Sequence, residues 1–435
     1  MTGRTASAIV ASLVLLGACI TGGDDRAATP QPSRPPDGSA SPVPSRGEGR
    51  ALAALQRLCP RVPLPGGSAV PAEGPTPGYV KAVQREVSDI RGLPFTKPVP
   101  VDAATHAELF EGLEESFDAS YPRDLMDRRS LAWATIGVVE QRTDLRAELE
   151  EFASGGVIGY YDTVKEELVF IGTDDPSPVE RVTLAHELTH ALDDQHFGLQ
   201  AIERLGTRCR DDGFAAALAV AEGDATYVML GYAQRNLTLD EQLALGEGAG
   251  DVGDVPPFVI RLQAWPYTAG LRFIQALVAR GGTEAIDRAL IEPPVTSEQI
   301  IHPERYPDDV PQPVDIGNLG RRLGQGWHDL DVQEVGESWL ATMLALRMDR
   351  DRSDEAAAGW DGGIFRSWTD GSSVAVVMTT AWDSTEDASD FAAAMMDWIS
   401  TGDEIGEVRQ QDGVRVDVLF ASDPDVLATL RSASA

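Results

Sequence analysis

Residues 186–190 read HELTH, a short stretch with the spacing H-E-x-x-H. The residues before it predict the start of a helix, because Ser177 can cap the first turn, Pro178 suits the first helical position and Glu180 stands three residues after the cap. Apolar residues then recur at helical spacing, and no helix-breaking residue intervenes before His196. The sequence therefore predicts one helix that contains the whole motif.

The two histidines of this motif are spaced to bind one metal ion together. On a helix, residues four apart lie on the same face, about 6 Å apart along the axis. His186 and His190 are then side by side, and Glu187 can accept a proton from a water molecule on a Zn²⁺ ion held between them. Metal-assisted hydrolysis needs such ligands, a base and an open coordination position. The alternative interpretation is a helix with two surface histidines, but the chain contains only 6 His, which makes the close pair informative.

Two residues compete for the position of third metal ligand. His196 extends the spacing to H-E-x-x-H-x-x-x-x-x-H, but the zinc proteases that use this spacing have Gly where this chain has Asp193. That Gly turns the chain out of the helix, and Asp adopts the required conformation less readily. Glu222 lies in an Ala-rich segment that predicts a second helix, where a buried carboxylate requires a partner such as a metal. We expect Glu222 to be the ligand and His196 to be an outer or structural group.

The HELTH stretch and the segment that contains Glu222 together resemble the gluzincin metallopeptidases, that is, the thermolysin-like clan and its peptidase MA-like relatives. In detail, four stretches look like a group of actinobacterial and chloroflexal proteins: residues 185–197 (AHELTHALDDQHF), 222–226 (EGDAT), 266–267 (PY) and 298–303 (EQIIHP). The resemblance extends well over residues 145–306 and only loosely over the C-terminal part. It implies a zincin-like fold for the part of the chain that carries the motif.

The resemblance also implies a catalytic zinc site. The implied Zn²⁺ ligands are His186, His190 and Glu222. Glu187 then acts as the general base. The clan usually has an Asp four residues after its third ligand, whereas this chain has Thr226 at that position. We expect Asp224 to orient a ligand instead.

A peptidase of this kind needs a hydrogen-bond donor for the oxyanion that forms during hydrolysis. His302 is the first candidate for this role, and Tyr267 and Tyr306 are the next. The alternative for His302 is an ordinary hydrogen-bonded histidine of the core or of a loop.

The N-terminal residues predict export and a lipid anchor. Arg4 precedes a short apolar run, and residues 16–19 read LGAC, which resembles a bacterial lipoprotein signal that is cleaved before Cys19. We therefore expect a signal peptide at residues 1–18, lipid on Cys19 and a disordered tether at residues 19–50, rich in Gly, Pro, Ser and Asp. The alternative is an ordinary signal peptide that contains a Cys. The expected location is the outer face of the cell membrane.

Two further cysteines, Cys59 and Cys209, are a natural disulfide pair in an exported protein. The alternative is two buried free thiols.

The predicted fold class is α+β. Residues 51–315 are expected to form a mostly helical, zincin-like catalytic domain, with a β-hairpin at residues 157–171 just before the motif helix. That hairpin is either the edge along which an extended substrate lies or a plain structural element. Residues 316–435 alternate strands and helices and are expected to form a C-terminal α+β accessory lobe, either a small separate domain or an integral part of the fold.

These features predict a zinc metallopeptidase that hydrolyses peptide bonds in protein or peptide substrates outside the cell. The formal net charge of −33 argues against nucleic acid as a partner, because phosphates would be repelled. The competing function is a catalytically inactive, zincin-like lipoprotein that takes part in binding or in envelope assembly.

Overall fold

The computed structural model describes residue 58 and residues 76–105, 107–112, 121–154, 157–171, 175–206, 210–245 and 253–434. The expected signal peptide at residues 1–18, the tether at residues 19–50 and the lipidated Cys19 lie outside these residues. The cysteines of the expected disulfide, Cys59 and Cys209, lie outside them as well.

The elements before residue 302 are mainly helical. In chain order they are α1 (Gly78–Arg91), β1 (Val101–Ala103), α2 (Arg123–Ile136), α3 (Leu145–Ser154), β2 (Gly159–Asp162), β3 (Glu167–Phe170), α4 (Pro178–Phe197), α5 (Gln200–Gly206), α6 (Asp211–Asn236), α7 (Leu239–Leu245), α8 (Pro257–Gly281), α9 (Thr283–Ile291) and α10 (Ser297–Ile301).

The elements after residue 302 form a five-stranded sheet with its helices. In chain order they are α11 (Gly320–Leu323), β4 (His328–Glu334), α12 (Glu337–Leu344), α13 (Arg350–Ala357), β5 (Trp360–Thr369), β6 (Val374–Trp382), α14 (Thr385–Thr401), β7 (Ile405–Gln411), β8 (Arg415–Ala421) and α15 (Pro424–Ala433). The protein is therefore a mixed α+β structure, as the sequence predicts.

Capping residues in the sequence define both ends of helix α4. The Ser177 hydroxyl accepts a hydrogen bond from the Glu180 backbone N–H, and the Glu180 carboxylate accepts one from the Ser177 N–H at 2.6 Å. Both partners of a capping box are thus present, with Pro178 at the first helical position. Gly198 ends the helix with φ +77°, a left-handed conformation that Gly adopts without strain. The HELTH motif lies inside this single helix, which confirms the prediction.

The hairpin before α4 belongs to a three-stranded sheet. Strand β3 is central, with β1 parallel on one side and β2 antiparallel on the other. All residues of β2 and β3 are buried. The predicted hairpin is confirmed, and β2 is at an edge of its sheet.

Helix α6 is the central helix of this part of the molecule. It is long and apolar enough to span a membrane by length and composition, but most of its apolar stretch is buried inside the molecule, as in the core helix of a folded domain. It crosses α8 where Gly223 faces Gly270. A Cβ at Gly223 would lie 2.5 Å from the Gly270 carbonyl oxygen, so only glycine permits this close approach.

The C-terminal sheet has the strand order β4-β5-β6-β8-β7 and is entirely antiparallel. Helix α2 packs against it within one continuous apolar core. Trp133 of α2 donates a hydrogen bond from Nε1 to Gln333 of β4 at 2.8 Å, and Trp398 of α14 donates one to the Ile136 carbonyl at 3.0 Å. One apolar core, which includes Trp133 and Trp398, therefore extends across the expected boundary at residues 315/316, while two further apolar clusters lie before that boundary. The shared core favours an integral C-terminal lobe over a separate accessory domain.

Candidate metal centre

Helices α4 and α6 bring three potential metal ligands together in the protein interior. His186 and His190 lie one turn apart on α4, and Glu222 faces them from α6, all three buried. The Glu222 Oε2 atom lies 3.0 Å from His186 Nε2 and 3.4 Å from His190 Nε2, and the two Nε2 atoms are 3.2 Å apart. Two imidazole nitrogens and a carboxylate oxygen that converge in this way can hold a metal ion.

The charge of this site suits a cation. Burial alone would raise the pKa of Glu222, but the charge of His190 and hydrogen bonds with His186 and His190 lower it to about 2. For His190, burial has the opposite effect and lowers the pKa. The facing Glu222 carboxylate outweighs burial, so the net pKa of His190 is raised. A bound metal ion would supply positive charge that compensates the burial of this carboxylate.

Glu187 follows the first histidine and is held by the neighbouring sheet. The backbone N–H of Tyr161, in β2, donates a hydrogen bond to Glu187 Oε2 at 3.0 Å. The Tyr161 hydroxyl donates to Asp194 Oδ2 at 3.0 Å on the same helix, so β2 is fixed to α4 at two points. Glu187 is 1 % exposed, and its carboxylate is therefore held in place rather than free in solvent.

His196 does not join the ligand group. Helix α4 continues without a break past Asp193 to Phe197, and His196 Nε2 lies 2.8 Å from the carbonyl oxygen of Pro94. Asp193 keeps a helical conformation and does not turn the chain toward the ligands. The preference for Glu222 over His196 therefore agrees with the positions of both side chains.

The candidates for the oxyanion donor lie in different places. Tyr267, on α8, is buried, and its ring stacks on that of His186 with centroids 6.1 Å apart. Tyr306 instead donates its hydroxyl hydrogen bond to the Glu292 carbonyl at 2.7 Å. His302 Nε2 lies 2.9 Å from a Glu337 carboxylate oxygen, which raises the pKa of His302 although burial opposes this.

His302 lies toward the far end of α8 from the metal ligands. The next residue, Pro303, accepts a hydrogen bond through its carbonyl from Arg280 at 2.9 Å. Arg280 stands thirteen residues after Tyr267 on α8, which corresponds to roughly 20 Å along the helix axis. Among the described residues, His302 makes its hydrogen bond with Glu337 and none with the ligand group, and a catalytic role for His302 stays a prediction. Of the three candidates, Tyr267 is the one placed against a ligand.

A buried ionic cluster lies next to the ligand helices, and sequence reasoning missed its central residue. Arg91, the last residue of α1, contacts Asp224 of α6, Asp287 of α9 and, at 3.9 Å, Asp193 of α4. Burial raises the pKa of Asp193 well above its usual range, and the nearby Asp224 carboxylate raises it further. Asp224, expected to orient a ligand, is thus held by an arginine. The sequence gives only a weak signal for this cluster. Arg91 ends an amphipathic helix, and an arginine in such a position most often lies in solvent.

Comparisons with known proteins bear on the C-terminal part of the chain. A family model described as a domain of unknown function, DUF8575, matches residues 321–428. This match includes all five strands of the C-terminal sheet, and it does not include the three potential metal ligands. Searches of curated proteins and of solved structures found no match.

Proposed function

We propose that this protein is a zinc-dependent metallopeptidase that hydrolyses peptide bonds in protein or peptide substrates at the outer face of the cell membrane. The observation that carries the proposal is the buried convergence of His186, His190 and Glu222, and Glu187 follows His186 in the chain and is buried as well. Two imidazoles and one carboxylate are the three protein ligands of many catalytic zinc sites, which leave a fourth position for water or substrate. A purely structural zinc site would normally be closed by four protein ligands.

The chemistry is divided between the metal and the side chains around it. A bound Zn²⁺ would lower the pKa of a water molecule and polarise the scissile carbonyl. Glu187 then accepts the proton of the attacking water and delivers it to the leaving amine. The hydrogen bond from the Tyr161 N–H keeps the Glu187 carboxylate oriented, so little conformational freedom is lost at the moment of reaction. Tyr267, stacked on His186, is the candidate to stabilise the oxyanion.

Strand β2 bears on how a substrate would bind. It pairs with β3 along one edge, and on its other side the Tyr161 N–H already donates a hydrogen bond to Glu187 of α4. All residues of β2 are buried. Because an added peptide strand needs an exposed edge with free main-chain groups, these contacts favour the plain structural interpretation of the hairpin over the substrate-edge one.

The decisive test of the reaction is the Glu187→Gln variant. We expect the purified full chain to cleave casein or members of a peptide library, followed by mass spectrometry, and to stop when 1,10-phenanthroline removes the metal. Added zinc should restore cleavage. Glu187→Gln should retain zinc but lose hydrolysis, because the amide cannot accept the proton. Hydrolysis by the variant at the wild-type rate would refute the mechanism. Stoichiometric zinc without turnover of any peptide would instead favour the inactive, zincin-like binding or assembly protein.

The location of the protein is part of the proposal. It rests on the LGAC stretch at residues 16–19, which supports cleavage before Cys19 and lipidation of that residue. Wild-type protein should incorporate a labelled fatty acid and fractionate with membranes, and Cys19→Ser should do neither. Labelling of the Cys19→Ser variant would contradict the anchor.

A further inference from the structure

We propose that Arg91 is a positioning residue of the metal centre, which acts by fixing the two ligand-bearing helices against each other. Arg91 is 1 % exposed and is one of the largest fully buried side chains among the described residues. It lies on α1, well before the segment of residues 145–306 that carries the gluzincin resemblance. The inference rests on the proposed metal centre and adds a residue from outside that segment.

The guanidinium of Arg91 connects three helices through three carboxylates. Its Nε lies 2.6 Å from Asp224 Oδ2 on α6, and its Nη2 lies 2.7 Å from Asp287 Oδ1 on α9. The same Nε is 3.9 Å from Asp193 Oδ1 on α4. The contacts with Asp224 and Asp287 are charge-assisted hydrogen bonds, which define the distance and orientation of their partners more tightly than apolar packing does, and the contact with Asp193 is a longer ion pair.

Two of these carboxylates lie next to metal ligands in the chain. Asp193 stands three residues after His190 on α4, and Asp224 stands two residues after Glu222 on α6. On a rigid helix, a contact that fixes a residue also fixes one that lies within a turn of it. Arg91 therefore constrains the separation of His190 and Glu222, which have a ligand-to-ligand distance of 3.4 Å.

The cluster is also a place where the loss of one charge has large consequences. Asp193 and Asp224 are completely buried, and they face each other across the contact between α4 and α6. Without the guanidinium, Asp224 would lose its charge-assisted hydrogen bond and its cation, and a buried carboxylate left in this way is strongly destabilising, so the packing of α4 against α6 would shift to relieve it. Metal–ligand bonds tolerate errors of only about 0.2 Å, so a small separation weakens binding.

The test compares metal binding in Arg91→Met with that in Arg366→Met. Arg366 is a matched control, because it is also buried and pairs with a carboxylate, Asp329, but it lies in the C-terminal sheet. Dissociation constants for Zn²⁺ and Co²⁺ are measured by competition with a chelator on the full chain, with folding checked by circular dichroism. We expect Arg91→Met to bind both metals roughly 10- to 100-fold more weakly, the range found for residues that support metal ligands. Arg366→Met should bind them as the wild type does.

The absorption spectrum of bound Co²⁺ provides a readout that general destabilisation would not change. It should differ from wild type in Arg91→Met and remain unchanged in Arg366→Met. If Arg91→Met does not fold, Arg91→Lys decides, because Lys keeps the charge but not the planar fork and should show the same weaker binding. Wild-type affinity in a folded Arg91 variant, or an equal loss in Arg366→Met, would overturn the inference.

The same measurement separates this inference from the proposed function. If the wild-type protein binds no metal, the metal centre and the role of Arg91 both fail. If it binds metal but hydrolyses no peptide, the proposed reaction fails while the role of Arg91 in metal binding stands. If it binds and hydrolyses but the Arg91 variants bind normally, only the role of Arg91 fails.

Discussion

Replacing Gly223 with Ala would place a methyl group between α6, which carries the ligand Glu222, and α8. The added Cβ would lie 2.5 Å from the Gly270 carbonyl oxygen, whereas ordinary van der Waals contact begins at 3.4 Å. Because the obstructing atoms belong to the backbone, no side-chain rotation can relieve the clash. Helices α6 and α8 would have to separate by about 0.9 Å, the difference between these two distances.

The size of the effect follows from two opposing contributions. Overpacking of a tightly packed interior costs about 1–3 kcal/mol. Ala in place of Gly inside a helix returns up to about 1 kcal/mol, because Gly loses more backbone entropy on folding. Because the obstructing atoms are backbone atoms, we take the upper part of the overpacking range, about 2–3 kcal/mol, and therefore expect a net loss of roughly 1–2 kcal/mol in the free energy of unfolding. Glu222 is the preceding residue, so a shift of this size also displaces its carboxylate from His186, and metal affinity should fall by at least about 10-fold.

Denaturant unfolding of the metal-free protein measures the first effect, and chelator competition measures the second. Gly213→Ala is the matched control on the same helix, because its Cβ would meet its nearest neighbour, the Val295 carbonyl oxygen, at an ordinary 3.4 Å. The control should keep its stability or gain some, with unchanged metal affinity. Wild-type stability and affinity in Gly223→Ala would refute the close helix crossing on which this reasoning depends.

Three further predictions concern other parts of the molecule. Tyr267→Phe should lower kcat on a peptide substrate by about 10²-fold with metal content unchanged, because it removes the proposed oxyanion donor; an unchanged kcat would exclude that role. Burial raises the pKa of Glu298 to about 9, so the folded protein holds a proton that the unfolded chain loses near the ordinary value of 4.5. The stability that this proton contributes is fully present below the pKa of Glu298 in the unfolded chain, and it is lost as the pH rises through the pKa in the folded protein. The melting temperature should therefore be higher in mildly acidic than in alkaline buffer, and Glu298→Gln should weaken this dependence; equal slopes in both proteins would contradict it. Deletion of residues 316–435 should abolish cooperative unfolding of the remainder, since α2 would lose the sheet that covers its apolar face; a soluble, cooperatively folded remainder would show that the core is not shared.

The features that local sequence determines were predicted well. The start of α4 follows from a capping box whose two hydrogen bonds join residues only three apart, Ser177 and Glu180. The position of His186 beside His190 follows from helix geometry alone. Glu222 could be found because a carboxylate in an Ala-rich, apolar segment requires a compensating partner, and the structure places it against both histidines.

The features that depend on distant partners could not be predicted. Arg91 and Asp224 are separated by 133 positions in the chain, and no periodicity links them. The position of His302 depends on which end of α8 the following segment packs against, which sequence does not specify. The shared core likewise depends on α2, whose Trp133 reaches Gln333 across 200 positions. These contacts arise from packing of complete elements, not from the local pattern of any one of them.

The most direct test of the metal centre is the metal content of the purified wild type, Glu222→Ala and His196→Ala proteins, measured by mass spectrometry of the elements. Glu222 faces both motif histidines, whereas His196 contacts the Pro94 carbonyl oxygen. We predict about one equivalent of zinc per chain in the wild type and in His196→Ala, and almost none in Glu222→Ala, because only Glu222 completes the set of three ligands. Full zinc in Glu222→Ala together with its loss in His196→Ala, or no metal in the wild type, would contradict the account.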